Sequence, residues 1–360
     1  MSLRTGTAGR DRGRAGTVLG VDSGGSGLRV ALAPADGGGS ALTWSSSVPV
    51  GTGGRGIDAP DLLDRVLPAA RRLLHEAGSP GCDAVCVGAA GMATLGDDLH
   101  AVLPGVLRAE LGARRLALAS DAVTAYAGAL GQRPGVVVAA GTGVIALGTA
   151  LGPEGRWRRA DGWGHLLGDC GGGAWIGRAG LEAAMRAFDG RAGGSPALLA
   201  RLEAVFGPAC GLPGKLYPRP DRPAVLASFA PEVGRCAPDD AVAAGILREA
   251  AHHIAAAAAA ACPSPTGPGA TGLGETGPGA TEPGAARPGA FPEVALTGGL
   301  FRMGEPLLFP VQEELQKQLP QARLTDCQGD PLTGALRVAT ALAEDSLALP
   351  VDGALLRVVR

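Results

Sequence analysis

Apolar and polar positions divide the chain into short runs separated by glycine-rich turns. Residues 18–22 form an apolar run ending in Asp22, residues 23–27 form a turn, and residues 28–33 then alternate. Leu28, Val30 and Leu32 share one face of that second run, the period of a half-buried strand. Strand, glycine turn and strand predict a β-hairpin. After a turn at 37–40, residues 41–50 are expected to add a third strand. Residues 58–77 carry Leu62, Leu63, Val66, Leu67, Ala70, Leu73 and Leu74 at helical spacing, with Gly78 and Pro80 to end the helix. Short buried strands are expected at 84–87, before Gly88-Ala-Ala-Gly91, and at 116–120, before Asp121 and a helix over 122–130.

The opening pattern then returns. Residues 136–140, 141–143 and 144–148 again read as strand, tight glycine turn and strand, which suggests two related lobes. Residues 161–190 hold the densest glycine cluster. Their second half is helical, with Trp175, Ile176, Leu181, Ala184 and Met185 on one face. A long alanine-rich helix is expected over 239–262. Residues 263–292 repeat TGPGAT and have almost nothing to bury, so a disordered insertion is expected there. A strand at 294–300 meets the pair Gly298-Gly299. A helix over 307–319, a strand over 322–325 and a helix over 332–343 close the fold. The expected division is a flexible tail over 1–16, lobes over 17–121 and 122–345, and a C-terminal segment over 346–360.

Composition narrows the function. Apolar residues make up 46% and charged ones 18%, which excludes a wholly disordered chain. The net charge of -2 argues against a protein that must neutralise nucleic-acid phosphates. Only two basic residues are lysine, Lys215 and Lys317, a bias with arginine, alanine, glycine and proline that reads as codon usage. The seven cysteines form no CxxC motif and support neither a disulfide framework nor a four-cysteine zinc site. The N-terminus has no secretory pattern and no run is long enough to span a bilayer, so a soluble, cytoplasmic protein is expected.

Four glycine turns stand at strand ends: 22–27, 141–143, 168–173 and 298–299. Glycine admits close backbone approach, so successive N–H groups can converge on an anion, although hairpins need glycine in any case. No GxxxxGK[ST] motif occurs, and no GxGxxG links a strand to a helix. Asp22 could anchor Mg²⁺ through water beside nucleotide phosphates, or serve as a turn residue. Asp121 could be a general base, or a helix N-cap. Asp169 could accept hydrogen bonds from a polyol, or cap a loop. Trp163 could floor a polar site, or pack in a core. His165 reads as structural, and Cys82 and Cys86 as packed in or beside a strand.

VLGVDSGGSGLRVALA, LASDAVTAYAGAL, VVVAAGTGVIALG, DGWGHLLGDCGGGAWIGR, VALTGGLF and GDPLTGALRVA occur in an order that resembles the BadF/BadG/BcrA/BcrD-type ATPases, in their N-acetylglucosamine-kinase-like branch. The resemblance implies an α/β, two-lobed actin-like fold with duplicated RNase-H-like cores closing over ATP and substrate. It implies a phosphate site at Asp22, Gly24, Gly25 and Ser26, a second at Gly141, Thr142 and Gly143, and an adenosine segment with Gly298 and Gly299. It further implies Asp121 as catalytic base, Gly162, Trp163 and Asp169 in the sugar segment, ATP and Mg²⁺ as cofactors, and a homodimer. The implied function is phosphorylation of an amino sugar, N-acetylglucosamine to its 6-phosphate. A sugar sensor on a kinase scaffold and an activator ATPase carrying an iron–sulfur cluster are the alternatives. Three departures leave the sugar open: no asparagine in 48–52, Val144 after Gly143, and Cys170-Gly171-Gly172 where GDEGS is usual.

Overall fold

A computed structural model describes residues 16–25, 27–53, 56–92, 96–152, 155–263 and 292–359. The expected tail (except Gly16), the insertion between 264 and 291, and Ser26 lie outside the described residues. Strand β1 (Thr17–Gly24) turns into β2 (Gly27–Pro34) and then β3 (Leu42–Ser46). A small ribbon, β4 (Thr52–Gly53) with β5 (Gly56–Ile57), leads to helix α1 (Ala59–Ala77), followed by β6 (Ala84–Ala89), α2 (Asp97–Leu111) and β7 (Arg115–Ser120). Helix α3 (Asp121–Leu130) opens the second half. It continues through β8 (Gly135–Ala140), β9 (Val144–Thr149), β10 (Arg158–Asp161), α4 (Gly173–Phe188) and α5 (Pro196–Phe206). Three short helices, α6 (Leu212–Leu216), α7 (Arg222–Ser228) and α8 (Ala230–Cys236), precede α9 (Ala241–Ala261). The chain ends with β11 (Glu293–Thr297), α10 (Glu305–Gln318), β12 (Arg323–Thr325), α11 (Pro331–Ala343) and β13 (Leu356–Val359).

The strands form two large mixed sheets of one design, ordered β13-β7-β6-β1-β2-β3 and β10-β9-β8-β11-β12. Each begins with an antiparallel meander and adds two parallel strands beside its first strand. The echo between 18 and 136 in the sequence is therefore an echo in topology. The last strand, β13, extends the first sheet by pairing antiparallel with β7.

Local chemistry sets the ends of the elements. Asp58 caps α1 by accepting the Asp61 N–H, Pro60 fits the first turn, and Gly78 ends the helix in the left-handed region. The predicted leucine stripe is buried except at Leu67, which is half-buried, and each buried leucine adds about 2 kcal/mol relative to exposure. The third strand stops at Ser46, short of the expected 50, because Arg65 pulls the next segment out of the sheet by donating to the carbonyls of Val48 and Pro49. The long helix starts at Ala241 because Asp240 is its N-cap, accepting from Ala243 N. No helix among the described residues is long and apolar enough to cross a membrane.

The two halves meet through exchanged helices. α3 follows the first sheet and lies between the two, packing on β8, β9 and β11 as well as on β7, β1 and β6, while α11 follows the second sheet and packs on β1 and β6. Where the two helices cross, glycines bring the backbones together. A Cβ on Gly128 would fall 2.2 Å from the Asp330 carbonyl oxygen, and Gly20 on β1 leaves room for the backbone at Leu336. One buried cluster accordingly holds residues of both sheets, among them Val18, Ala117, Tyr126, Val137, Leu147 and Val338.

Candidate active site

The first loop is the β1–β2 turn. Gly27 has φ 131° and a Cβ there would lie 2.1 Å from the Ser46 carbonyl oxygen, so β3 can pair only with glycine at that point. Gly24 and Gly25 differ: neither has a left-handed φ, and a Cβ on either would meet nothing within 4 Å. Asp22 stands two residues before this open stretch with its side chain 14% exposed. The hairpin register sets it opposite Arg29, whose Nε and Nη2 donate to its Oδ2 at 3.0 and 2.6 Å. Arg29 also donates from Nη1 to Asp330, the residue that caps α11 by accepting the Thr333 N–H. Burial pushes the Asp22 carboxyl above its ordinary pKa, the bond and charge of Arg29 oppose this, and Asp330 adds to it.

The second loop joins β8 to β9. Its Gly141 N–H donates to the Gly143 carbonyl at 2.8 Å. The first amides of α4 hold it from behind, Gly173 N–H donating to Gly141 O at 2.9 Å and Ala174 N–H to Thr142 O at 2.8 Å. Gly172 and Gly173 permit that approach, since a Cβ on either would press into the 141–143 backbone. Gly141 itself faces open space. The 298–299 pair lies alongside: Gly298, at φ 107°, rests against Ala140, where a Cβ would be 2.1 Å from the carbonyl oxygen, and Gly299 again faces open space.

Residues 162–170 are organised by Asp161, which the sequence reading did not single out. Its Oδ1 accepts the N–H groups of Gly162 and Asp169 at 2.7 and 2.6 Å, and its Oδ2 accepts that of Cys170 at 3.0 Å. Trp163 is not a core residue. It is 60% exposed, and the Arg159 guanidinium sits 4.2 Å from its ring centroid. Arg159, also not anticipated, donates to the carbonyls of Asp161 and Gly162. His165 is exposed rather than packed. Asp169, at φ 56°, accepts the Gly164 N–H and lies on the second loop, where a Cβ on Gly143 would meet its Oδ2 at 2.3 Å. Burial pushes its carboxyl pKa up; the Gly164 N–H counters this and the nearby Asp161 charge reinforces it.

Asp121 begins α3 at the end of β7, but the cap is its neighbour: Ser120 Oγ accepts the Val123 N–H at 3.3 Å. The Asp121 carboxylate takes the Ala122 N–H at 2.9 Å. Burial raises its pKa, with the negative charge of Asp22 adding and Arg159 opposing. Asp121 thus senses charges from both sheets, Asp22 on β1 and Arg159 on β10. The arrangement joins backbone loops fit for anions to carboxylates fit for a hydroxyl or a cation.

The family model described as the BadF/BadG/BcrA/BcrD ATPase family matches residues 19–267, and the chain belongs to that family. A curated relative, an N-acetylmuramic acid/N-acetylglucosamine kinase of Clostridium acetobutylicum, is 31% identical over 180 residues. That match covers 48% of this chain and spans 55% of the relative's length. A solved structure of a candidate N-acetylglucosamine kinase from Chromobacterium violaceum is 29% identical, with a TM-score of 0.65 over 89% of this chain and 98% of that one. A ROK family glucokinase from Streptomyces griseus, solved with glucose and AMPPNP, shares the fold at 19% identity, with a TM-score of 0.52 over 91% of this chain and 100% of that one. The architecture is that of the actin-like sugar kinases.

Proposed function

We propose that the chain is an ATP-dependent sugar kinase that phosphorylates the 6-hydroxyl of an amino sugar, with N-acetylglucosamine as the first substrate to test. Four glycines carry this reading: Gly24, Gly25, Gly141 and Gly299 have no left-handed backbone and, among the described residues, no neighbour that a Cβ would strike, and unlike Gly105 and Gly245, which share this inside helices, they stand at or just past strand ends. The fold does not require them to be glycine. A ligand held against bare backbone accounts for their recurrence on two hairpin loops and a third segment, and fits a triphosphate tail and its nucleoside.

In this reading ATP lies against Gly24, Gly25, Ser26, Gly141, Thr142, Gly143, Gly298 and Gly299. The Asp22 carboxylate, whose Oδ1 has no partner among the described residues, suits a hydrated divalent cation. Mg²⁺ would neutralise phosphate charge there. Asp121 accepts the proton of the sugar hydroxyl as that oxygen bonds to the γ-phosphorus and the bond to the leaving ADP oxygen breaks. Gly162, Trp163 and Asp169 contact the sugar, and Asp169, touching the second loop, ties sugar position to phosphate position. We further propose a homodimer acting in the cytoplasm, with lobes 17–121 and 122–345.

The experiment is a coupled ADP assay with N-acetylglucosamine, N-acetylmuramic acid, N-acetylmannosamine, glucosamine and glucose, alongside ATP titration of Gly25→Val. Sugar-dependent ADP release, and an ATP affinity lost in Gly25→Val at unchanged melting temperature, are expected. Sugar binding without ADP release on any sugar would overturn the kinase in favour of a sensor.

A further inference from the structure

The Asp22–Arg29–Asp330 chain is not accounted for by phosphoryl transfer. The hairpin register places Arg29 directly across from Asp22, and its Nε and Nη2 both grip one oxygen, Oδ2. Its remaining arm reaches Asp330, which is fixed as the cap of α11 through the N–H and hydroxyl of Thr333. Arg29 is thus the cation of a site built from carboxylates, with Asp121 close enough to Asp22 for their charges to interact. Its side chain is 36% exposed, so it can leave without a buried path opening. A guanidinium binds phosphate oxygens with the same fork that it offers a carboxylate.

Building on Asp22 as the metal carboxylate, we propose that Arg29 is a resident counter-ion that keeps free divalent metal off Asp22 until nucleotide arrives. Metal and phosphates then enter together. The cation takes Asp22 while the phosphates partner the guanidinium edge freed from it and Nη1 stays on Asp330, so neither carboxylate is left uncompensated. Free metal alone offers Arg29 no such partner and must displace it at a cost. The hold is on two carboxylates at once, so a lysine, with one ammonium, holds less well than arginine.

The test measures binding of free Mn²⁺ by electron paramagnetic resonance to the full chain without nucleotide, in wild type, Arg29→Met, Arg29→Lys and Asp22→Asn/Arg29→Met. Circular dichroism verifies the fold of each. Arg29→Met should bind Mn²⁺ about tenfold or more tightly than wild type, a difference the ordinary strength of such a contact allows. Arg29→Lys should fall between, and the double variant should lose the gain. Wild-type affinity for free Mn²⁺ in both single variants, while these and the wild type bind Mn²⁺–ADP, would overturn the role of Arg29 alone. Failure of wild type to bind Mn²⁺–ADP would overturn the Asp22 reading and this inference with it.

Discussion

A methyl group added to Gly334 would fall 1.8 Å from the carbonyl oxygen of Thr124, because α3 and α11 cross there backbone to backbone. This contact locks the two exchanged helices and so fixes the two sheets, and their loops, relative to each other. Gly334→Val should cost about 3 kcal/mol, the upper range for forcing extra carbons into a packed site. Gly245→Ala is the control: Gly245 lies inside α9 with nothing within 4 Å of an added Cβ. That change should stabilise by up to about 1 kcal/mol through helix propensity. Urea midpoints of the two variants should move in opposite directions.

The elements were legible because each is announced by local chemistry. The glycine turns at 24–27 and 141–143 give both hairpins, and the leucine stripe of α1 gives its buried face. The exchange of α3 and α11 was not legible, since it depends on which sheet a helix meets after a connection of unknown path. Among site residues, Arg29 could have been found by counting the hairpin register outward from the Gly24–Gly27 pair. Asp161 carried no comparable signal: its three accepted N–H bonds exist only because residues 162–170 fold back on it. Of the two readings of Trp163, the core one falls because hydrophobicity alone does not separate a core aromatic from one covered by an arginine.

Replacing Asp121 should separate activity from stability. Burial, reinforced by Asp22, raises its folded-state pKa above the unfolded value. The folded protein therefore favours the protonated form. The stability this group contributes is fully present below the unfolded pKa and is lost as pH rises through the folded one. At neutral pH the ionised carboxylate is a net cost, so Asp121→Asn should melt higher than wild type while losing roughly 10²- to 10⁴-fold in kcat. Nucleotide affinity should hold. In wild type, the acid limb of kcat/KM should lie above the ordinary aspartate pKa of about 3.9.

Asp161→Ala should unfasten the segment rather than the fold. Three backbone N–H groups lose their acceptor, at about 1–3 kcal/mol for each that stays buried and unpaired. Water can reach this half-exposed site, so the expected loss is about 2 kcal/mol in all. The sugar KM should rise with little change in the KM for ATP, because the two hairpin loops are held by other bonds. Steady-state kinetics with each substrate varied in turn would separate the two, and an equal rise in both KM values would contradict this placement of Asp161.

Trp163 gives the sharpest division between folding and binding. At 60% exposure, with Arg159 over its ring and Gly168 beside it, Trp163 adds little to the core. A cation–π contact at such a site is worth about 0.5–1 kcal/mol. Trp163→Ala should therefore leave the melting temperature within a few degrees of wild type, yet remove the flat apolar surface on which a sugar ring can rest. Trp163→Phe keeps a face and should recover part of the lost affinity, whereas Trp163→Leu should recover little. Sugar binding to the wild type should also change the tryptophan fluorescence, and that change should be absent in Trp163→Phe. A large fall in melting temperature in Trp163→Ala would instead mean that the ring supports the 162–170 segment, and its part in sugar binding would be lost.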